Sequence, residues 1–181
     1  MITAFGLVFL AELGDKSMLM ALAFATRFAA VPVFGGIAAA AVIATGGAAL
    51  LGGVVGIALP TGVLTIVAGV LFLGFGMWML REEDDDDINV DLGGRSVFVA
   101  ATATFVLAEI GDKTMLATAA LASTQNAWVT WAGAATGMAA ASGLAIVAGS
   151  ALGSRVRTDI MRRVAAVVFL LAGVLLIAEG V

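Results

Sequence analysis

The sequence predicts an all-α membrane protein with six transmembrane helices, arranged as two inverted three-helix repeats. Its composition, the spacing of its apolar stretches and an internal duplication support this prediction. Of its 181 residues, 62% are hydrophobic and 12% are charged, whereas a soluble domain usually carries about 25% charged residues. A spanning helix needs about 20 mostly apolar residues, so roughly six spans use nearly the whole chain. The 23 glycines suit helices whose backbones approach closely in lipid.

The apolar stretches fall into two groups of three around one polar segment. They cover residues 2–25, 31–58, 61–80, 96–122, 126–153 and 160–179. The first stretch lacks the cationic start of a signal peptide, so we interpret it as a span. We expect a first repeat at 1–80, an acidic linker at 81–95 and a second repeat at 96–181. The acidic run from Glu82 to Asp87 is typical of a solvated linker, and a cation-attracting segment is the alternative.

An offset of 97 residues relates the two halves without a gap. The sequence LAELGDKSML, beginning at Leu10, lies over LAEIGDKTML, beginning at Leu107, and the same offset later places Gly76 on Gly173. Such a match indicates a duplication. Because each repeat contains an odd number of helices, the second enters the membrane from the opposite side, as in many secondary transporters.

The arginines predict the orientation in the plasma (inner) membrane. In the six-span arrangement all of them fall at the first, third and fifth connections. They are Arg27, Arg81, Arg95, Arg155, Arg157, Arg162 and Arg163. These connections share one face, which the positive-inside rule makes cytoplasmic. We therefore expect a multi-pass protein with a cytoplasmic acidic linker and both termini outside.

Each repeat carries one E-x-G-D-K-[ST] motif near the centre of its first span. The charged residues are Glu12, Asp15 and Lys16 in one motif and Glu109, Asp112 and Lys113 in the other. A charged residue at that depth costs at least about 2.5 to 3.5 kcal/mol, so these residues require partners and usually have a function. On a continuous helix, Glu and Asp share one face and Lys pairs with Glu. Gly14 and Gly111 leave space on that face and permit a local break in the helix.

The charges of the motifs favour a divalent cation. Four carboxylates and two ammonium groups sum to −2, which one divalent cation neutralises. The chain has no cysteine or histidine, so Glu12, Asp15, Glu109 and Asp112 are the candidate metal ligands. Their oxygens suit Ca²⁺, Mn²⁺ or Mg²⁺. Once emptied, the site would keep two uncompensated negative charges, which favours proton uptake; Na⁺ could serve the same role.

Other residues of the motifs are candidate supporting groups. The hydroxyls of Ser17 and Thr114 could supply neutral oxygens, and Met18 and Met115 place thioethers beside them. A methionine in a membrane helix is more often core packing than a ligand. Lys16, Lys113, Gly14 and Gly111 complete the supporting set.

Two other functions are alternatives to cation transport. The motifs could form an internally paired structural cluster in a non-transporting scaffold, although a purely structural cluster is better satisfied at zero net charge. An exporter of small organic cations or amino acids would show fewer paired acids and more aromatic lining. We expect no catalysis and no cofactor, with the metal ion as transported substrate. The expected partners are that cation, protons or Na⁺ as coupling ion and the lipid bilayer, without nucleic acid, and no oligomeric state is predicted.

The paired motif on spans one and four resembles the second calcium:cation antiporter family. Golgi manganese/calcium transporters and bacterial manganese exporters belong to this family, and the resemblance extends from Leu10 to Gly173. It implies secondary transport of Mn²⁺ or Ca²⁺, generally coupled to protons, with the motif acids as the cation site. The length and short connections look like the bacterial members, which favours manganese export. A Ca²⁺/H⁺ antiporter of the same architecture is the alternative.

Overall fold

The computed structural model describes residues 1–81, 96–152 and 158–180, and these ranges contain helices and no strand. The helices are α1 Ile2–Glu12, α2 Lys16–Arg27, α3 Ala30–Ala58, α4 Thr61–Arg81, α5 Val97–Glu109, α6 Lys113–Thr124, α7 Ala127–Leu152 and α8 Thr158–Gly180. Residues 82–95 of the linker predicted at 81–95 lie outside the described residues, as do Arg155 and Arg157, and Arg81 is the last residue of α4. The all-α prediction is confirmed for the part of the chain that the structure describes.

Several helices are apolar enough to lie in a membrane. By length and composition, α3, Thr61–Trp78 of α4 and Ala127–Val147 of α7 are candidate spans among the described residues. Shorter apolar helices are α1, α5 and Ala166–Gly180 of α8. Large apolar side chains point outward, including Ile57, which is 90% exposed. Such a surface is unfavourable in water and favourable in lipid.

Two predicted spans are interrupted at the motifs. The stretch predicted at 2–25 consists of α1 and α2, and the stretch predicted at 96–122 consists of α5 and α6. Helices α3, α4, α7 and α8 follow the other four predicted stretches to within two residues at each end. Each of these stretches thus contains the local break that the motif glycine was expected to permit, because that glycine leaves the helical conformation.

Glycines allow close helix crossings that recur at the 97-residue offset. A Cβ at Gly36 on α3 would lie 2.7 Å from the carbonyl oxygen of Phe98, at the start of α5. A Cβ at Gly133 on α7 would lie 2.5 Å from the carbonyl oxygen of Met1, just before α1. These four residues form two pairs related by the offset. A side chain at either glycine would separate the helices, so van der Waals contact between backbones stabilises both crossings.

Helices α4 and α8 cross at residues that are each other's counterparts. The rings of Phe72 and Phe169 stack with their centroids 5.0 Å apart. A Cβ at Gly76 would lie 3.0 Å from the Ala166 carbonyl oxygen, and one at Gly173 would lie 2.8 Å from the Gly69 carbonyl oxygen. The contacts that α4 makes with α8 are therefore matched by equivalent contacts that α8 makes with α4.

The buried apolar residues form two main clusters. The first joins α1, α4, α6 and α8 through Ala4, Leu7, Ala11, Ala68, Phe72, Phe75, Ala117, Ala120, Leu121 and Phe169. The second joins α2, α3, α5 and α7 through Met18, Ala21, Phe24, Val33, Ile37, Ala40, Ala101, Phe105, Ala145 and Ile146. Because α1 and α2 belong to different clusters, each motif lies where one cluster ends and the other begins.

The substitution Gly52→Ala is expected to lower the thermal stability of the protein. Its Cβ would overlap the carbonyl oxygen of Ala119 on α6. Relief of that overlap requires α3 and α6 to separate, and overpacking of this kind costs about 1 to 3 kcal/mol. Gly47→Ala on the same helix is the matched control, because its Cβ meets nothing within 4 Å. Thermal unfolding in detergent checks the ranking, and equal midpoints for the two variants would contradict this packing.

Candidate cation site

Each motif contains a break of three residues between two short helices. In the first motif, α1 ends at Glu12, Leu13 is extended, Gly14 has φ 83° and Asp15 is the N-cap of α2. In the second motif, Gly111 has φ 78° and Asp112 is the N-cap of α6. Left-handed φ values are strained for residues with a Cβ, and glycine adopts them freely. The central glycine of each motif is therefore required by the backbone.

The break places the motif acids at helix ends. Glu12 and Glu109 are the last residues of α1 and α5. The C-terminal end of a helix carries partial negative charge from its aligned peptide dipoles. Carboxylates and helix C-termini at one place together favour a cation. Asp15 and Asp112 are N-caps, yet neither side chain makes a capping hydrogen bond, so their carboxylates are left for other partners.

Each glutamate accepts a hydrogen bond from the hydroxyl that closes its own motif. Ser17 Oγ donates to Glu12 Oε2, and Thr114 Oγ1 donates to Glu109 Oε2 over 2.7 Å. All four side chains are buried. These bonds hold each carboxylate in one orientation across the helix break, and they place both predicted hydroxyls beside the acids.

Lys113 links the two motifs. Its Nζ lies 2.5 Å from Asp15 Oδ1, with the side chains 5% and 3% exposed. The spacing within one motif predicts that each lysine pairs with the glutamate of its own motif. That prediction missed Asp15 of the other motif, with which Lys113 forms an ion pair. Lys16 is exposed, and the described residues show no ion pair between Lys16 and Glu12. Each lysine follows the helix break, so the i to i+4 spacing of a continuous helix does not apply.

Three buried carboxylate oxygens have no hydrogen-bond donor among the described residues. They are Glu12 Oε1, Asp15 Oδ2 and Asp112 Oδ2. Buried polar atoms are almost always paired, so unpaired oxygens from three acids indicate a place for water, protons or a cation. No three Asp or Glu side chains of the described ranges form a group tight enough to hold one metal ion together. A cation bound by both motifs would therefore require movement of these side chains.

The four acids nevertheless form one electrostatic unit. The charge of Glu12 interacts with those of Glu109, Asp15 and Asp112. The charges of Lys113 and Lys16 both act on Asp112. The fold thus brings together residues that are about a hundred positions apart in sequence, with two more carboxylates than lysines.

Comparison with known proteins assigns the chain to a family. Residues 1–87 and 97–181 match the family described as divalent cation/proton antiporter GDT1. The chain belongs to the GDT1 family. This confirms the family to which the paired motifs pointed, and it makes the chain a member of a transporter family, with no indication of catalysis.

Proteins similar to this chain occur in bacteria and in a plant. A Vibrio cholerae protein, provisionally named as a manganese exporter, is 34% identical over 91% of this chain and 83% of its own length. A GDT1-like protein of Synechocystis is 30% identical over 96% of both chains. The chloroplastic protein PAM71 of Arabidopsis thaliana is 32% identical over 98% of this chain and 56% of its own length. No solved structure matches the chain.

The methionines of the GDT1 motifs differ in environment. Met18 is 5% exposed and belongs to the second apolar cluster. Its Sδ accepts a hydrogen bond from the Gly14 N–H over 3.3 Å. Met115 is only partly buried. The contacts of Met18 favour a packing role that also stabilises the helix break.

The substitution Gly111→Ala is expected to destabilise this GDT1 protein through its backbone alone. A Cβ at Gly111 meets nothing within 4 Å, but φ there is +78°, and a left-handed residue with a Cβ costs about 1 to 2 kcal/mol. Gly74→Ala is the control, because its Cβ also has free space on helix α4. We expect a lower thermal midpoint in detergent for Gly111→Ala and an unchanged or slightly higher one for Gly74→Ala. A thermal midpoint for Gly111→Ala as high as that for Gly74→Ala would contradict the left-handed conformation of Gly111 and hence the helix break.

Proposed function

We propose that this chain exports a divalent cation, with Mn²⁺ as its main substrate, from the cytoplasm across the plasma (inner) membrane in exchange for protons. The observation that carries the proposal is the set of unpaired buried carboxylate oxygens at the two helix breaks, Glu12 Oε1, Asp15 Oδ2 and Asp112 Oδ2. Proton exchange agrees with the description of the family as divalent cation/proton antiporters.

The chemistry of the site supports a divalent substrate. Its four acids and two lysines leave −2 when all are ionised, and the partial charges of two helix C-termini add to the negative potential. Carboxylate and hydroxyl oxygens are the ligands that Mn²⁺ and Ca²⁺ accept. We infer that Glu12, Asp15, Glu109 and Asp112 bind the ion after their side chains converge. Protons taken up by the emptied carboxylates would replace the charge of the released ion.

Alternating access between two inverted three-helix repeats is the mechanism we infer. The glycine crossings at Gly36 and Gly133 and the mutual contact of Phe72 with Phe169 are what two copies related by a two-fold axis in the membrane plane would make. Each half-helix pair would count as one span, giving six. The exposed side chains of Arg27 and Arg81 are consistent with a cytoplasmic face at those ends, with both termini outside.

The choice of Mn²⁺ over Ca²⁺ rests on the relatives. The Vibrio cholerae relative carries manganese export in its provisional name. The buried thioether of Met18 is engaged by the Gly14 N–H and gives no separate argument for the softer ion. A Ca²⁺/H⁺ antiporter of the same architecture is therefore the second candidate. A non-transporting scaffold is disfavoured, because a structural role does not need three buried carboxylate oxygens without donors.

The glutamates at the helix breaks are expected to be essential for transport. In proteoliposomes with an acidic lumen, wild-type protein should carry external Mn²⁺ inward while protons leave. Trapped metal-sensitive and pH-sensitive dyes measure the two fluxes. Glu12→Gln and Glu109→Gln remove one negative charge each and should reduce both fluxes by at least about tenfold, since a buried charge removed from its partners costs several kcal/mol.

Glu179→Gln is the matched control, because it makes the same change at an exposed side chain near the end of α8. It should transport like wild type. Transport of Mn²⁺ at the wild-type rate by either Glu12→Gln or Glu109→Gln would contradict the proposed site. Flux of Ca²⁺ without Mn²⁺ would favour the second candidate.

The hydroxyl of Thr114 is expected to matter for transport through its bond to Glu109. Thr114→Val keeps the shape but removes the donor 2.7 Å from Glu109 Oε2, so Mn²⁺ flux should fall by roughly five- to tenfold, the effect of about 1 to 1.5 kcal/mol. Thr114→Ser should retain flux, because serine stands at the equivalent position of the first motif.

Thr118→Val is the control for that measurement. Thr118 is also fully buried, but its Oγ1 donates to the Thr114 carbonyl oxygen on the same helix. It should affect flux little. Equal flux loss in Thr114→Val and Thr118→Val would show that buried hydroxyls act on the fold in general rather than on Glu109.

A further inference from the structure

The charged groups of the two motifs differ in the contact made by their lysines. The offset of 97 residues makes Lys16 the counterpart of Lys113, and Asp112 the counterpart of Asp15. Lys113 is buried against Asp15 at 2.5 Å. Lys16 is exposed and Asp112 only half-buried, and no ion pair between these two occurs within the described residues. One of two equivalent ion pairs is therefore formed.

The asymmetry does not come from a general difference between the repeats. Both helix breaks have a left-handed glycine, with φ 83° and 78°. Both glutamates accept a hydrogen bond from the hydroxyl five residues later. The left-handed glycines and the bonds of the glutamates are thus equivalent in the two motifs, whereas the pairing of lysine with aspartate is not.

The packing of the helices is asymmetric in the same sense. The apolar cluster around Phe72 joins α4 and α8 to α1 and to α6, the helix that begins at Lys113. Its counterpart would join α4 and α8 to α2 and α5. Helices α2 and α5 pack with α3 and α7, as α1 and α6 also do. The contacts of α2 and α5 with α8 and α4, however, are marginal or absent in the described ranges. The half of the bundle formed by α1 and α6, which holds the buried lysine, is therefore closed against α4 and α8. The equivalent half, formed by α2 and α5, is not closed against these two helices.

We propose that Lys113 and Lys16 are alternating counter-ions of the two motifs. The ion pair between Lys113 and Asp15 holds the conformation described here, in which α1 and α6 close against α4 and α8. In the opposite conformation Lys16 pairs with Asp112 and α2 and α5 close against α4 and α8, while Lys113 becomes exposed. This inference rests on the proposed exchange between two inverted repeats, and it assigns to both lysines a positioning role.

Competition for Asp15 links this exchange to the substrate. A divalent cation bound by Asp15 repels the ammonium group of Lys113, which occupies Asp15 Oδ1. A lysine side chain without a partner is tolerated only where water reaches it, because a buried charge that has lost its partner is strongly unfavourable. Departure of Lys113 from Asp15 therefore requires the closed half to open. Binding of the cation from one face of the membrane is thereby coupled to opening of the protein towards the other face.

The exposure of Lys16 fits the same scheme. A charged side chain in a membrane segment needs water or a partner. In the conformation described here Lys16 is exposed, whereas Lys113 is buried and paired with Asp15. The charge of Lys16 acts on Asp112, and an approach of the start of α2 towards the start of α6 would complete the second pair.

Single-cysteine labelling tests the exchange without relying on transport. The chain contains no cysteine, so one can be introduced as a reporter in each half. Ala120→Cys on α6 lies in the closed cluster, where Ala120 is 8% exposed. Ala23→Cys on α2 is its counterpart by the offset, at a half-buried position. The measurement is the rate of reaction with a membrane-impermeant, water-soluble maleimide in protein reconstituted in open lipid nanodiscs.

The two lysine variants should shift the reporters in opposite directions. With Lys113→Gln, we expect Ala120→Cys to react about tenfold faster or more and Ala23→Cys to react more slowly, because loss of a buried pair favours the other conformation. With Lys16→Gln, the shifts should reverse. Lys113→Arg keeps the ion pair and should restore the wild-type rates. Lys16 is exposed, so Lys16→Gln supplies a result even if Lys113→Gln fails to fold.

Shifts in the same direction in both variants, or unchanged rates in folded Lys16→Gln protein, would overturn the exchange. The outcome is separate from that of the transport assay. If wild-type proteoliposomes carry no Mn²⁺ but the reporters shift in opposite directions, the substrate is wrong and the lysine exchange stands. If Mn²⁺ is carried and the reporters do not shift, the lysine exchange alone is wrong.

Discussion

The fold is organised around the desolvation of four carboxylates among apolar helices. Each acid loses the hydration of bulk water and must be stabilised by donors, dipoles or opposite charge. The broken helices supply these: a glycine that turns the backbone, a hydroxyl that donates to each glutamate and a lysine that reaches the other motif. Stabilisation is incomplete, because oxygens of Glu12, Asp15 and Asp112 lack donors within the described residues. The proposed exchange of a cation for protons requires such unpaired oxygens, and a fixed structural cluster does not.

The small residues around the motifs follow from the same constraint. Apolar burial does not drive helix association in lipid, so helices that carry charged groups must be held by close packing. Gly36, Gly52 and Gly133 allow backbones to touch where any side chain would separate the helices. Large apolar side chains such as Ile57 point outward instead. The interior thus combines apolar clusters and small residues with the buried charged groups of the motifs, while the exterior is also apolar, unlike the mixed polar surface of a water-soluble protein.

Much of the architecture could be predicted from the sequence, because hydropathy and repetition are local properties. The bounds of α3, α4, α7 and α8, the paired motifs and the family all followed from such patterns. The helix breaks could not be located by hydropathy, because apolar residues continue on both sides of Gly14 and Gly111; the glycines themselves only permitted a break. The partner of Lys113 was missed for a different reason. Spacing along a helix identifies neighbours within one motif, whereas Asp15 reaches Lys113 only through the tertiary fold. The duplication was the available signal, since two equivalent motifs are expected to meet across an axis of symmetry.

The stacked rings of Phe72 and Phe169 have a geometric consequence of their own. Phe72 and Phe169 occupy equivalent positions in the two repeats. If each repeat adopted the conformation of the other, these two rings would still contact each other where α4 crosses α8. A rearrangement that swaps those conformations would leave this crossing unchanged, while contacts farther from it open on one side and close on the other. The aromatic pair would therefore lie at the pivot point of such a rearrangement. Its rigidity would set how far a small displacement at one end of the bundle is carried to the other.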